Sequence, residues 1–246
     1  MKTDVIEISN ATPVGDGISA NTASWTFEGS VADVFDQHVA KSVPLYEEGH
    51  QLILQLSDFF LTENSVCYDL GCSTGTLLSR LADRHKSKEA RFIGLDPVEN
   101  MVEKARQKCQ TSRDVTIIAA NALEFEYEPA DLFTSYYTIQ FVHPKHRQTL
   151  INNIYNSLNW GGAFIMFEKV RANDARFQDL MTQCFLEHKL AQGYTPDEII
   201  RKGQSLKGIL EPFSTAGNLG LLNRAGFVDV LPIAKYMCFE GYLAIK

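Results

Sequence analysis

Short apolar runs alternate with segments of helical spacing between residues 65 and 162. A short apolar run bounded by turn formers predicts a buried strand, whereas apolar positions at helical spacing predict a helix. The strands predicted in this way are Val66–Leu70, Arg91–Asp96, Val115–Ala119, Leu132–Thr138 and Ala163–Glu168. The helices predicted between them are Thr76–Lys86, Val98–Gln110 and His146–Leu158. This alternation predicts a parallel sheet with helices on both faces.

The rest of the chain departs from this alternation. Residues 173–210 have largely helical spacing, and a helix near Ala216–Ala225 precedes two further strands, Phe227–Ile233 and Tyr236–Ile245. The last strand alternates enough to be an antiparallel partner. We therefore expect one α/β domain at residues 25–246: a doubly wound, mostly parallel seven-stranded sheet with a helical insert at 172–214. Residues 1–24 are polar and contain many turn formers, so they are predicted to be a disordered or loose tail.

Composition and charge argue against a disordered, a nucleic-acid-binding or a membrane-spanning protein. The chain has 246 residues, 45% of them apolar and 22% charged, which is typical of a globular protein rather than a disordered one. Its 30 acidic and 23 basic residues give a formal charge of −7. Neutralising phosphates requires clustered lysine and arginine, so direct nucleic-acid contact is not expected. No apolar run reaches the ~20 residues of a membrane-spanning helix, so a membrane partner is not expected.

The cysteines give no sign of a disulfide or metal framework. There are 5 of them, widely spaced and without a C-x-x-C pair. Such residues are typical of reduced thiols that pack as small apolar side chains. The sequence therefore predicts a cytoplasmic protein without a metal site.

A glycine-rich segment, Tyr68-Asp69-Leu70-Gly71-Cys72-Ser73-Thr74-Gly75, follows the first strand of the alternating region. Its spacing is neither the G-x-G-x-x-G of dinucleotide folds nor a phosphate loop, so a pyrophosphate ligand is disfavoured. The segment suits a nucleoside that carries an amino acid. The carboxylate of such a ligand can approach N–H groups at the start of the next helix, and its ammonium can meet loop carbonyls or Asp69.

Two further polar residues follow neighbouring strands. Asp96 ends the second strand, which places it beside the glycine-rich segment at the carboxyl edge of a parallel sheet. A carboxylate there can accept both hydroxyls of a ribose, and the amide of Asn121, after the third strand, can meet an adenine edge. Each residue also has a structural interpretation, since Asp69 can cap a turn and Asp96 the helix that starts at Pro97. Their joint order along one sheet edge favours a binding site.

The pattern Asp69-x-Gly71-x-Ser73-x-Gly75, followed by Asp96, resembles the S-adenosylmethionine (SAM) motif of class I methyltransferases, which have a Rossmann-like fold. Over nearly its whole length the chain also resembles a narrower family, the carboxy-S-adenosyl-L-methionine synthases, which prepare a cofactor for tRNA wobble-uridine modification. The shared segments are Trp25-Thr26-Phe27, Val31-Ala32, Val34-Phe35, Ser42-Val43-Pro44, Tyr46, Tyr68 to Ser73, Thr138-x-Gln140-Phe141, Glu168-Lys169, Gly193-Tyr194 and Ala225-Gly226-Phe227.

The resemblance implies SAM, S-adenosylhomocysteine or carboxy-SAM as ligand, and a homodimer. It implies ligand contacts at Tyr46, Gly71, Asp96, Asn121 and Ala122.

At two positions this sequence differs from the family. Tyr136 stands where the family has an asparagine that contacts the ligand, and Gly203 stands where an arginine binds the extra carboxylate. A guanidinium binds a carboxylate bidentately and glycine cannot. Arg201, Lys202 or Lys207 can replace it only if the register shifts, so the loss of this arginine weighs against synthesis of a carboxylated cofactor.

Candidate catalytic residues follow the fourth and fifth strands. Methyl transfer depends on positioning and on exclusion of water, and it needs a base only for a hydroxyl or a protonated nitrogen. His143 and Glu168 are candidates, with a surface turn and an ion pair to Lys169 as the structural alternatives. Tyr136 and Tyr137 can form an aromatic wall, although strand alternation predicts that one of them packs in the core.

The leading hypothesis is a SAM-dependent methyltransferase that acts on a small molecule. It rests on the set of SAM-binding residues at one sheet edge and on the missing arginine. The alternative is a carboxy-SAM synthase that uses SAM and prephenate, and a second alternative is a catalytically inert SAM-binding protein. In each case the segment Trp25–Tyr46 and the helical insert are expected to cover the ligand.

Overall fold

The structure, a computed structural model, describes residues 11–112 and 114–246. A single 3-10 turn at Ile139–Phe141 accompanies its strands and α-helices. In chain order the strands are β1 (Thr12–Gly15), β2 (Ile18–Ala20), β3 (Val66–Leu70), β4 (Arg91–Asp96), β5 (Val115–Ala119), β6 (Ala130–Tyr136), β7 (Leu158–Lys169), β8 (Asp229–Tyr236) and β9 (Phe239–Ile245). The helices are α1 (Val31–Ser42), α2 (Tyr46–Ser57), α3 (Thr76–Arg84), α4 (Glu99–Cys109), α5 (Pro144–Ser157), α6 (Ala175–Ala191), α7 (Pro196–Ser205) and α8 (Thr215–Ala225).

Strands β3 to β9 form one seven-stranded sheet in the order β5-β4-β3-β6-β7-β9-β8. Strands β3 to β7 pair in parallel, and β9 runs antiparallel to both β7 and β8. The strand order reverses between β3 and β6, and the carboxyl ends of strands at such a reversal leave a crevice in which ligands bind. The predicted fold class, a doubly wound, mostly parallel seven-stranded α/β sheet, is confirmed.

The central strands are covered on both faces. Cys67 and Leu132 pack in one layer with apolar residues of α2, α3 and α4, and the adjacent residues Tyr68 and Phe133 pack in the other layer with those of α5 and α8. Because both faces are buried, these strands are continuous apolar runs in the sequence, and this is why they could be located.

An antiparallel hairpin, β1 and β2, precedes the sheet. It buries Val14 and Ile18 and lies against α7, where the N–H of Trp25 donates to the Ser205 carbonyl at 3.1 Å. The prediction of a loose tail up to residue 24 is therefore wrong from Thr12 onward, because these short strands bury apolar side chains against the insert. Residues 1–10 lie outside the described residues.

Two cap regions flank the carboxyl edge of the sheet. The first consists of α1 and α2, which the sequence pattern did not resolve as separate helices. The second is the insert, whose helices α6 and α7 fall within the predicted range 172–214. A capping box between Thr195 and Glu198 begins α7 after the break at Gly193. Within residues 11–112 and 114–246, every helix is too short or too polar to span a membrane.

Strand β7 is longer than predicted. Residues 159–162, expected to form a turn after a helix, belong to the strand and follow α5 directly. The end of the chain pairs with them, since the Gly161 N–H donates to the Lys246 carbonyl at 2.8 Å and the Lys246 N–H donates to the Gly162 carbonyl at 3.0 Å. This extra pairing extends the strand through a segment that contains two glycines.

Candidate active site

A cavity of about 260 Å³ lies at the carboxyl ends of β3, β4 and β6. Helices α1 and α2 form one side, and residues of α6 and α7 form another. The predicted site residues that line it are Tyr46, Asp69, Gly71, Ser73, Asp96 and Tyr136. The others, Gly75, Asn121, Ala122, His143 and Glu168, do not.

The glycine-rich loop turns sharply between β3 and α3. Gly71, Ser73 and Gly75 have φ values of 69°, 50° and 76°, in the left-handed region that glycine adopts most readily. A Cβ on Gly71 would overlap the side chain of Thr138. Because the loop is compact, its backbone and the unpaired N–H groups of the first turn of α3 lie next to the cavity.

Asp96 holds this loop in place. One carboxylate oxygen accepts the Ser73 N–H at 3.0 Å, and the other accepts the Val98 N–H at 2.9 Å. Each oxygen retains a second lone pair, so the structural role and the predicted ribose contact are compatible. Burial raises the pKa of Asp96, which the two backbone donors oppose.

Asp69 lies deeper, at the end of β3. It is 2% exposed, and one carboxylate oxygen accepts the Thr134 hydroxyl at 2.8 Å. Burial, with a contribution from the charge of Asp96, raises the pKa of Asp69 to about 7. A cationic ligand group in the cavity would favour the ionised form of this carboxyl.

The residues predicted to contact adenine lie away from the cavity wall. Asn121 is exposed, and its side-chain oxygen accepts the Leu123 N–H at 3.0 Å. The Ala122 carbonyl accepts the Tyr127 hydroxyl at 2.5 Å, and a Cβ on Gly75 would press on Ala105 of α4. These contacts organise the turn after β5 and the packing of α3 on α4, so the ligand contacts of Asn121 and Ala122 stay predictions.

The side chains of two predicted catalytic residues accept hydrogen bonds from backbone groups. His143 is an exposed N-cap of α5 whose ring nitrogen accepts the Lys145 N–H at 3.3 Å. Glu168 is 2% exposed, and its oxygens accept the N–H groups of Ile139 and Gln140 at 2.9 and 2.7 Å. Glu168 therefore stabilises the 3-10 turn at Ile139–Phe141. Neither side chain lines the cavity, and the catalytic role of both residues stays a prediction.

Tyr136 belongs to an aromatic cluster with Tyr46, His50 and Tyr137. Its hydroxyl donates to the Tyr46 carbonyl at 2.6 Å and so ties β6 to the start of α2. Burial raises the pKa of Tyr136, so its phenol stays neutral and binds rather than acting as a base. Tyr137 also lines the cavity, contrary to strand alternation, because β6 ends at Tyr136 and Tyr137 has a φ of 62°.

Three lysines in the cavity wall were not recognised as a group in the sequence. Lys169 ends β7, Lys189 lies on α6 and Lys202 lies on α7, so they meet only in the folded chain. The ammonium groups of Lys169 and Lys189 lie 4.2 and 4.9 Å from the ring centre of Phe185. We call Lys169, Lys189 and Lys202 the lysine group.

The lysine group has no acidic partner in the described part of the chain, where the lysine ion pairs involve Lys41, Lys104, Lys108 and Lys235. Burial lowers the pKa of Lys189 to about 8 and that of Lys202 to about 6. The cavity therefore has two chemically opposite parts, the carboxylates of Asp69 and Asp96 at the strand ends and unpaired amines against the insert. Groups of His, Cys, Asp and Glu suited to a metal ion are absent from the described residues.

We predict that Gly49→Ala destabilises the protein by about 1–3 kcal/mol, because residue 49 must leave room for the Tyr136 side chain. A Cβ there would overlap the Tyr136 hydroxyl. Gly203→Ala is the matched control on another helix, where an added Cβ meets nothing within 4 Å, and a gain of roughly 0.4–1 kcal/mol is expected. Urea unfolding measures both, and equal effects would contradict this account of the cluster.

We predict that Asp96→Ala weakens binding of S-adenosylhomocysteine by at least about 10-fold, because two loop N–H groups and the ribose lose their acceptor. Titration calorimetry measures the affinity. Asp229→Ala, an exposed aspartate on β8, serves as control and should bind as the unmodified protein does. Unchanged affinity in the Asp96 variant would show that the ribose lies elsewhere.

A family model described as a methyltransferase domain matches residues 67–162. Among solved structures, an O-methyltransferase family protein from Burkholderia thailandensis is similar with a TM-score of 0.63 and 18% identity, covering 87% of this chain and 59% of that one. Human N-acetylserotonin methyltransferase, solved in complex with SAM, has a TM-score of 0.58 and 19% identity, covering 82% and 52%. At these identities the likeness shows the fold.

Curated relatives match the chain over most of its length. A carboxy-S-adenosyl-L-methionine synthase from Staphylococcus epidermidis is 37% identical over 227 residues, which cover 92% of this chain and 99% of the relative. A protein of the same name from Sulfurimonas denitrificans is 36% identical and covers 90% and 94%. The chain thus belongs to the carboxy-S-adenosyl-L-methionine synthase family and is a SAM-dependent, methyltransferase-like enzyme.

Proposed function

We propose that this protein makes carboxy-S-adenosyl-L-methionine from SAM and prephenate. The observation that carries the proposal is the lysine group, which lines the same cavity as the residues at the strand ends. SAM alone gives no reason for this arrangement, since its sulfonium is cationic and its single carboxylate is suited to the N–H groups at the start of α3. Prephenate carries two carboxylates, which match the unpaired amines.

The buried lysines lack a negative charge that balances them. Removing an ammonium from water costs several kcal/mol unless an anion or another acceptor compensates it. Lys202 is 7% exposed, and its ammonium lies over the Trp25 ring instead of a carboxylate. A bound dianion would supply the missing counter-charge and raise the depressed pKa values of the lysines.

This arrangement removes the main reason for preferring methyl transfer to an unidentified acceptor. That preference rested on Gly203 in place of an arginine. Gly203 is exposed and does not line the cavity, whereas the adjacent residue Lys202 does. A basic side chain is therefore retained in the cavity next to position 203, and a bound anion would favour its charged form, although a lysine binds a carboxylate as a point charge and not as a fork.

Different residues of the cavity would bind the two substrates. In the proposed reaction the methyl group of bound SAM would exchange one proton for the ring carboxyl group of prephenate, and the rest of prephenate would leave as phenylpyruvate while its ring hydroxyl leaves with that proton as water. Asp96 and the glycine-rich loop would hold its nucleoside, and Asp69 would face its cationic groups. The tyrosines of the aromatic cluster and the cap helices would exclude water, which strengthens the attraction between the lysine group and an anion.

We expect the purified protein, incubated with SAM and prephenate, to form a product heavier than SAM by one carbon dioxide unit. Mass spectrometry of the ligand released from the protein provides the same test without added substrate. S-adenosylhomocysteine formed with a methylated acceptor would instead support the methyltransferase hypothesis. Bound SAM without any product would support the catalytically inert one.

We expect Lys189→Met to raise the KM for prephenate by at least about 10-fold while the KM for SAM changes little, because the variant loses one charge-assisted hydrogen bond. Steady-state kinetics separate the two constants. Lys207→Met is the matched control, because Lys207 is exposed and lies outside the cavity. An equal rise in both KM values would mean that Lys189 serves the cofactor or the fold.

The wider setting is also a proposal. A carboxylated cofactor would place the protein in tRNA wobble-uridine modification without direct contact with nucleic acid, in the cytoplasm. We further propose a homodimer. Its support in the structure is α6, none of whose residues is buried and which exposes Phe177, Leu180 and Leu190. Apolar residues exposed on one helix favour a covered surface in the assembled protein.

A further inference from the structure

Two histidines line the cavity, His38 on α1 and His50 on α2. Both are buried, and burial, the largest cause, lowers the pKa of each to about 4. They are therefore neutral at physiological pH, and each has one ring nitrogen with a proton and one with a lone pair. The hydrogen-bond partner of one ring nitrogen fixes the tautomer, and the tautomer determines whether the other nitrogen donates a hydrogen bond to a ligand or accepts one from it.

The tautomer of His50 is set by an arginine. Its Nδ1 lies 3.1 Å from a guanidinium nitrogen of Arg80, which can only donate. The proton of His50 is therefore on Nε2, which is buried and has no hydrogen-bond partner in the described part of the chain. This ring can donate but cannot accept.

The tautomer of His38 is the opposite one. Its Nδ1 lies 2.7 Å from the carboxylate of Asp16, which also accepts the Tyr194 hydroxyl at 2.5 Å and the Lys41 ammonium at 2.7 Å. Despite burial, these three donors lower the pKa of Asp16 to about 2, so the carboxylate is ionised and only accepts. The proton of His38 is therefore on Nδ1, and its Nε2 presents a lone pair.

The surroundings of His38 show which group this lone pair serves. Its ring stacks on Trp25 with centres 6.0 Å apart, and the Lys202 ammonium lies on the same Trp25 ring. His38 thus belongs to the part of the cavity that contains the lysine group. The lysines supply donors for carboxylates, so a neutral acceptor among them adds nothing for a carboxylate. It is suited to a hydroxyl group on the same anion.

We propose that His38 accepts a hydrogen bond from the hydroxyl of an anionic co-substrate, and that Asp16 is the positioning residue that fixes its tautomer. The inference rests on the proposed function, since prephenate combines two carboxylates with a ring hydroxyl. It also gives the hairpin a role in the site. Asp16 lies in the turn between β1 and β2. The hairpin thus holds the residue that orients His38 toward the substrate.

The test compares His38→Phe, which keeps a ring beside Trp25 but has no acceptor, with His38→Gln, which keeps an acceptor oxygen. Calorimetry measures prephenate binding to protein saturated with S-adenosylhomocysteine. We expect about 10-fold weaker prephenate binding in His38→Phe, recovery of most of it in His38→Gln, and unchanged S-adenosylhomocysteine affinity in both. His146→Phe, a histidine outside the cavity, is the matched control.

Asp16→Asn tests the positioning role and gives a second measurement if His38→Phe fails to fold. Because the Lys41 ammonium can only donate, the asparagine oxygen is expected to face Lys41 and its amide N–H groups to face Nδ1 of His38. This orientation moves the ring proton to Nε2 and removes the acceptor. We expect NMR of ¹⁵N-labelled histidine to show the proton on Nδ1 in the unmodified protein and on Nε2 in this variant, with a similar loss of prephenate affinity. A tautomer that stays the same in both proteins would overturn the role of Asp16.

The outcomes separate this inference from the proposed function. Equal prephenate affinity in His38→Phe and the unmodified protein would overturn the inference even if carboxy-SAM is formed. A loss confined to S-adenosylhomocysteine would also overturn it, because the acceptor would then serve the cofactor. If no carboxy-SAM is formed but prephenate binding falls in His38→Phe, the proposed reaction fails and the hydroxyl contact stands.

Discussion

Buried basic side chains without an acidic partner, in the wall of one cavity, are the constraint on which the rest of the site depends. The lysine group is drawn from β7, α6 and α7, and burial without an acidic partner is unfavourable for each amine. Contacts between the cap and the rest of the chain hold the cap in place against this cost. Asp36 of α1 accepts the Thr74 hydroxyl at 2.5 Å and the Lys108 ammonium at 2.7 Å, which joins the cap to the glycine-rich loop. A structure held in this way keeps the lysines ready for an anion rather than letting them turn to solvent.

The opposite part of the cavity follows from the sheet. Parallel strands bring the ends of β3 and β4 together, so Asp69 and Asp96 converge without any contact between distant parts of the sequence. One fold can host many functions, so the residues placed around this edge decide what the site does. Here the cap contributes two of the three lysines and the two histidines of opposite tautomer. On the proposed function, selection of the second substrate would therefore lie mainly in α1, α2 and the insert.

The strands of the sheet and the position of Asp96 could be predicted from the sequence, whereas the lysine group could not. Strands β3, β4 and β5 have the predicted bounds. For β3 and β4 the reason is that they are almost continuously buried and are followed by Gly71 and Pro97. Asp96 was found because its position relative to a strand end can be read along the chain. The lysine group could not be found in this way, since its members are separated by 20 and 13 positions. The position of His143 and Glu168 after a strand did not show that one caps a helix and the other accepts two backbone N–H groups of a turn, because such a residue can do this as readily as it faces the crevice.

The two departures from the family pattern can now be compared in physical terms. Tyr136 is accommodated within the chain, because Gly49 leaves space for its ring and the Tyr46 carbonyl accepts its hydroxyl. Gly203 is different, since a Cβ at this position would meet nothing within 4 Å. The basic side chains of the cavity are instead Lys202, one residue earlier, Lys169 and Lys189. Point charges attract a carboxylate without fixing its plane. Orientation of the anion must then come from another contact, and the lone pair of His38, fixed by Asp16, is suited to supply it.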